Sequence, residues 1–210
     1  MDRPTLPTTT YDPARTALVV FDMLEAYRAP IEAAGTHKTT ARLIAACRAA
    51  GVPVFYARAD HRLDGADFAG SIADTDASFT PWGPDNPIKH HPPHAGGSPE
   101  YQVLKELAPQ PGDYDVPKHR WNAFHGTHLE LSLRSRDIDT LLLVGGSTHV
   151  GIASTAYSAR DKDFQVTVVE DCCHGYEEQR EFFMRKVFPR MVNVRTLDQA
   201  VAGLGQAGRR

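Results

Sequence analysis

Short apolar runs recur along the chain, and between most of them the apolar positions change from a continuous rhythm to a helical one. Thr16 to Phe21 is unbroken and rich in β-branched residues, the pattern of a parallel strand buried on both faces, and it ends at Asp22. From Thr36 the apolar positions Ala41, Leu43, Ile44, Cys47 and Ala50 keep helical spacing until Gly51 supplies a stop, which predicts a helix of about four turns. Val52 to Ala57 reads as a second strand, with Pro53 tolerable near its start, and it delivers Arg58, Asp60, His61 and Arg62 to the same edge as Asp22. Strand, helix and strand together make a parallel crossover unit.

The rhythm breaks over residues 63 to 100, where Asp64-Gly65, Trp82 to Pro87 and His90 to Gly97 carry turn chemistry. A stretch of this length without a period is the mark of a lid or a subunit contact. Tyr101 to Leu107 suits a short helix. Tyr114 to Lys118 is a short third strand, placed at an edge or a strand end by Pro117. Thr127 then caps a helix carrying Leu129, Leu131 and Leu133, and Ile138 to Val144 forms a fourth strand. It breaks at Gly145 and Gly146, and the stretch to Ala156 resumes as a small-residue helix. Phe164 to Val169 is the fifth strand, followed by Glu170, Asp171, Cys172 and Cys173. Tyr176 to Phe188 is a helix with Phe182, Phe183, Met184 and Val187 as its stripe, Met191 to Val194 a sixth strand, and Leu197 to Leu204 a last helix. The alternation predicts an α/β fold of three layers, αβα and Rossmann-like, around a parallel six-stranded sheet. Its domain spans residues 16 to 204, after an N-terminal arm (residues 1 to 15) lying on the surface or on a neighbouring subunit, and before a frayed tail of residues 205 to 210.

Composition narrows the partners. With 210 residues, 41% of them hydrophobic, the chain suits one such domain, and a net charge of -3 supplies no basic field for nucleic acid or an anionic membrane. No apolar run approaches the roughly 20 residues that span a bilayer, and the first ten residues lack the apolar stretch of a secretory signal, so a cytoplasmic location is expected. Three cysteines, two of them adjacent, make no disulfide framework. A small-molecule substrate remains as the expected partner.

In a parallel α/β sheet, ligands sit beyond the carboxyl ends of the strands, where a helix start also offers backbone N–H groups to an anion. Gly145, Gly146 and Gly151 do not form the G-x-G-x-x-G of dinucleotide sites, and no Gly-Lys-Ser/Thr follows a strand, so neither a dinucleotide nor a P-loop is indicated. Asp22 and Lys118 both leave strands at the mouth of the sheet. A carboxylate held between an apolar strand and a lysine is either an acid–base group or half of a salt bridge that closes the sheet, and pattern alone leaves both open.

Three motifs in order resemble the isochorismatase-like hydrolases, over roughly residues 14 to 204. Ala17-Leu-Val-Val-Phe-Asp22-Met-Leu is similar to that family's VVxDM strand end, and Lys118-His-Arg-Trp-Asn-Ala-Phe124 to its lysine motif. Gly145-Gly-Ser-Thr-His-Val-Gly151-Ile-Ala-Ser-Thr-Ala156 is similar to its nucleophile turn, with Gly151 at the place of the cysteine. The resemblance implies a homodimer or homotetramer, a cis peptide at Gly146-Ser147, Asp22 and Lys118 as catalytic residues, and backbone donors at Gly146, Ser147, Thr148, Val150 and Gly151. Without a thiolate no covalent intermediate forms at this turn. Family members with glycine here cleave a vinyl ether, the aspartate protonating the methylene carbon, and His149-Val-Gly151 resembles their turn. Ser147 and Ala59 depart from them, which argues against isochorismate itself.

On this reading Arg58, His61, Trp82, Phe124 and His149 line the substrate, with Arg62, Lys89 and Arg120 as further cations for an anionic one; Trp82-Gly-Pro84 echoes a loop of the same branch. Nicotinamidase-like relatives bind a metal with an Asp-x-His pair and a histidine from a Pro-Pro-His loop. Here Asp60-His61 has the wrong spacing although Pro92-Pro-His94 fits, so neither a metal nor another cofactor is expected. Two alternatives stand beside this one: a catalytically inactive protein of the same fold that binds a small molecule or serves assembly, and an amidase using Cys172 or Cys173.

Overall fold

The computed structural model describes residues 9–67, 84–85 and 97–205. Six strands, β1 (Thr16–Phe21), β2 (Val54–Ala59), β3 (Tyr114–Lys118), β4 (Thr140–Gly145), β5 (Gln165–Cys173) and β6 (Asn193–Arg195), form one sheet in the order β3-β2-β1-β4-β5-β6. Every neighbouring pair is parallel. From β1 the chain steps outward through β2 to β3, then returns to lay β4 on the other side of β1. That reversal opens a crevice between the carboxyl ends of β1 and β4, the place where sheets of this order receive ligands.

Alternation along the strands divides the core in two. Ala17, Val19, Phe21, Leu141 and Leu143 face α3 (Leu129–Arg134), α4 (Ala153–Asp161) and the helix that begins with α5 (Glu177–Phe182), packing on Leu133, Ala156, Met184 and Phe188. Leu18, Val20, Leu142 and Val144 face α1 (Arg28–Ala34), α2 (Thr36–Ala49) and α6 (Leu197–Gly205), packing on Ile31, Leu43, Cys47 and Leu204. Both faces of the central strands are thus covered, and the predicted three layers are present. Among the described residues no helix is long and apolar enough to cross a membrane.

β1 and β3 have the predicted limits, and β3 is the edge strand that Pro117 required. Other elements differ. β2 lies two residues later than predicted, so Arg58 is within the strand rather than beyond it. β5 runs four residues past Val169, because after a register shift Gly145 pairs with Cys173. Arg180 secures the extension by donating to the carbonyls of Glu170 (2.9 Å) and Cys173 (3.0 Å). The Tyr101–Leu107 region forms two single 3-10 turns, and α1, which the sequence pattern did not announce, accommodates Pro30 in its first turn, where no backbone donor is needed. Tyr11 is buried, its N–H donates to the Gly203 carbonyl at 3.2 Å and its hydroxyl to Thr167 Oγ1 at 3.3 Å, so residues 9–15 pack on their own domain.

Candidate active site

The carboxyl end of β1 turns sharply at Asp22, whose φ of 47° lies in the left-handed region that aspartate tolerates better than most residues. Its N–H donates to the Ala57 carbonyl at 2.9 Å, holding the turn against β2. The carboxylate then faces two donors, accepting from the Ala59 N–H through Oδ1 and from Lys118 Nζ through Oδ2, each at 2.7 Å. Lys118 comes from the end of β3, where it pairs in register with Ala59, so β2 separates the two strands while its last residue bridges them. The side chains of Lys118 and Asp22 are only 5% and 14% exposed, and the lysine ammonium also lies over the Phe21 ring, 4.2 Å from its centroid. A buried pair of this kind is polar chemistry placed where a purely structural sheet end would be apolar.

Across the crevice stands the β4–α4 turn. The peptide between Gly146 and Ser147 is cis, as the resemblance implied. Gly145 has φ +120°, and a β-carbon there would stand 2.0 Å from the Phe21 carbonyl oxygen. Thr148 to Ile152 then form a single wide helical turn that continues into α4. Of the predicted backbone donors, Gly146 gives its N–H to the Phe21 carbonyl (3.1 Å), Thr148 to the His174 carbonyl (3.0 Å) and Val150 to the Ser147 carbonyl (3.1 Å). Those three amides are therefore committed to holding the turn, a correction to their assignment as oxyanion donors. Ser147 and Gly151 remain as candidates.

His174 is a residue the sequence reading missed. It follows β5, is buried, and packs its ring against Gly146, where a β-carbon would stand 2.3 Å from Nε2. Its N–H donates to the Gly145 carbonyl (3.1 Å), its own carbonyl accepts from Thr148 N–H and Oγ1, and Nδ1 lies 3.3 Å from Thr36 Oγ1. Burial, aided by the nearby Arg180, pushes its pKa down to about 4, so the imidazole is neutral and braces the turn. A histidine just past a strand carries no pattern of its own; only the small residues opposite it hint at such a brace.

The expected substrate contacts divide. His149 is half-buried on the turn, its ring 5.8 Å from Tyr176 and 6.5 Å from Phe183. Arg58 is engaged in ion pairs with Asp115 (2.6 Å) and Asp60 (3.2 Å), so its charge is already offset. Arg62 pairs with Asp64, and Arg120 donates to the carbonyls of Asp67 and His119. Phe124 is a core residue instead, tilted against Phe164 with centroids 5.7 Å apart. Trp82, Lys89 and His94 lie outside the described residues. His61 half-buries beside Asp67 (3.4 Å), which also approaches His119 (3.2 Å), and the three ligand atoms lie within 4.8 Å of one another, a set with the donors to hold a divalent ion. Asp60, by contrast, turns its carboxylate to Arg58.

Neither cysteine follows β5; both are inside it, on opposite faces. Cys172 packs on the α2 side, and burial pushes its thiol up to about 12. Cys173 packs on the α4 side, its Sγ 3.9 Å from the Leu143 carbonyl, and burial raises its thiol well above the ordinary range. Neither thiol is poised as a thiolate.

The isochorismatase domain model matches residues 16–199. An isochorismatase family protein of Escherichia coli O157:H7, YecD, is 32% identical over 194 residues, covering 90% of this chain and 96% of that one. Among solved structures, an isochorismatase family protein from Burkholderia thailandensis superposes with a TM-score of 0.77 at 28% identity, covering 94% of this chain and 99% of its own. N-carbamoylsarcosine amidase from Thermoplasma acidophilum superposes with a TM-score of 0.67 at 26% identity, covering 88% and 97%.

Proposed function

This chain belongs to the isochorismatase family, whose members are hydrolases, and we propose that it hydrolyses a small, anionic molecule through Asp22 and Lys118 with water, a vinyl ether being the preferred target. The observation that carries this reading is the Asp22–Lys118 pair, closed at 2.7 Å in the crevice beside a turn whose residue 151 bears no side chain.

In the proposed cycle Asp22, the ion-pair partner of Lys118 in the free site, first takes up a proton from water and then gives it to the terminal carbon of the enol-ether double bond. That carbon becomes a methyl group, and the ether oxygen shares the positive charge left on the adjacent carbon. The Lys118 ammonium offsets the charge that returns to the carboxylate, which is why a lysine belongs there. Water adds to the cationic carbon and returns a proton to Asp22, and the hemiketal so formed breaks into a ketone and an alcohol. The amides of Ser147 and Gly151 hold an anionic oxygen of the substrate, such as a carboxylate, while His149 and His61 contact the substrate at the rim.

An amidase, the activity named for the Thermoplasma relative, is the weaker reading, because a thiolate is the attacking species and burial disfavours it at both Cys172 and Cys173. A non-catalytic protein binding a small anion in the same crevice is the second reading, favoured by the Phe21 ring that fills the space under Gly151. A panel of carboxylate-bearing vinyl ethers, amides and carbamoyl compounds, scored for product by mass spectrometry, separates the three. The expected result is turnover among the vinyl ethers alone. Amide hydrolysis abolished by iodoacetamide overturns the proposal in favour of a cysteine, and binding without any turnover overturns it in favour of a binding protein.

A further inference from the structure

Phe21 stands one residue before Asp22, on the sheet face that carries Cys173, in the same core cluster as Ile152 of the turn and Ala153 of α4. Its ring lies directly under the β4–α4 turn. A β-carbon on residue 151 would stand 2.1 Å from Phe21 Cε1 and 2.4 Å from Cζ, well inside van der Waals contact. The ring has no easy way to yield, since it is 1% exposed and enclosed by core side chains. The same ring receives the Lys118 ammonium 4.2 Å from its centroid, while Nζ donates to Asp22 Oδ2 at 2.7 Å.

We propose that Phe21 is a positioning residue of this site: its ring takes the volume that a nucleophilic side chain at residue 151 would need, and its face seats the Lys118 ammonium against Asp22. The first half follows from shape. Backbone and ring contact each other across the turn, so residues 21 and 151 behave as a pair in which only one side carries bulk. The second half follows from charge. An ammonium drawn out of water needs negative potential around it, and here the carboxylate supplies part and the electron-rich ring face another. The preceding strand residues, Val19 and Val20, are aliphatic; a residue like them at position 21 would fill space but offer no such face. The site therefore cannot regain thiol chemistry through Gly151 alone. The role given to Lys118 rests on the Asp22–Lys118 reading above, whereas the steric pairing does not.

The test uses the full chain and no substrate, so a failed search for a vinyl ether leaves its outcome intact. Gly151→Cys is expected to lower the thermal midpoint by roughly 5 °C or more, from overpacking against the ring. Combined with Phe21→Ala, it is expected to melt roughly 5 °C above the sum of the two single shifts, because the new thiol occupies the vacated space. Recovery of the double variant when Gly151→Cys alone is insoluble counts the same way. Iodoacetamide should alkylate the thiol introduced by Gly151→Cys in the double variant at least ~10-fold faster than the buried Cys47, Cys172 and Cys173. Additive shifts, or an unperturbed Gly151→Cys, overturn the steric pairing. For the charge half, pentafluorophenylalanine placed at position 21 keeps the ring's shape and reverses the charge on its face. Acetylation of Lys118 by acetic anhydride, read by mass spectrometry against Lys38 and Lys162, should then rise about 5-fold. An unchanged ratio overturns the seating of Lys118 by the ring.

Discussion

The two ends of the β4–α4 turn both carry glycine, for different reasons. At Gly145 the obstacle to a side chain is main chain: a β-carbon would meet the Phe21 carbonyl at 2.0 Å, and φ is +120° besides. At Gly151 the obstacle is the far edge of the Phe21 ring. The first glycine is demanded by the way β1 and β4 close the sheet, and any chain folding this way meets the same demand. The second is demanded by one side chain, and it changes when that side chain changes. Absence of bulk at Gly145 is thus architecture, whereas at Gly151 it belongs to the chemistry of the site.

The largest expected effect lies at the architectural end. Gly145→Ala must move β1 or adopt a strained backbone, and a loss of about 4 kcal/mol or more is expected in urea unfolding. A loss comparable to that of Gly151→Ala would erase the distinction between the two ends. Next comes the brace at Gly146. His174 stays neutral down to about 4 in the fold, whereas a free imidazole titrates at about 6.5. Between those values the unfolded chain takes up a proton that the folded chain does not. His174 therefore leaves stability level above about pH 6.5 and lowers it progressively toward pH 4, by about 3 kcal/mol in all. Unfolding midpoints measured across this range should show that slope, and His174→Leu should remove its share.

At the other end, Gly151→Ala should cost about 2 kcal/mol, the overpacking of one methyl group against a ring. A cost near zero would mean that the ring moves freely. The smallest effect lies outside the turn, at a cation the sequence pattern had offered to the substrate. Arg58→Ala removes ion pairs to Asp115 and Asp60 of which one partner is well exposed, and should lower stability by about 1 kcal/mol or less. It should leave the substrate KM within about twofold, since that guanidinium is already engaged. A large rise in KM would return Arg58 to the substrate.

Much of this arrangement is legible in the residues themselves. The apolar run Thr16 to Phe21 ending in Asp22 gives β1 and the carboxylate together, because a strand buried on both faces writes its own limits in hydrophobicity, while Tyr114 to Lys118 gives the edge strand β3 and the lysine through its length and Pro117. β5 was harder. Its last four residues include the charged Glu170 and Asp171, and they continue the strand because Gly145 pairs with Cys173 and Arg180 donates to the Glu170 and Cys173 carbonyls. His174 and the ring of Phe21 act through space across the turn, so no spacing along the chain announces them. Asp67, too, reaches His119 from a distant segment, a grouping that a search for Asp-x-His cannot find. For Arg58 and Phe124, composition shows a cation and an aromatic ring, but not that Asp115 or Phe164 has already engaged it.

The central claim is that proton transfer by Asp22, not a thiol, breaks the bond. Its most direct measurement is kcat of Asp22→Asn beside the parent chain, on a vinyl ether that the parent hydrolyses, with folding verified by thermal midpoint. Loss of the general acid predicts a fall of about 10²- to 10⁴-fold with the midpoint still that of a folded chain. Turnover of the Asp22→Asn chain at close to the parent rate would contradict the account.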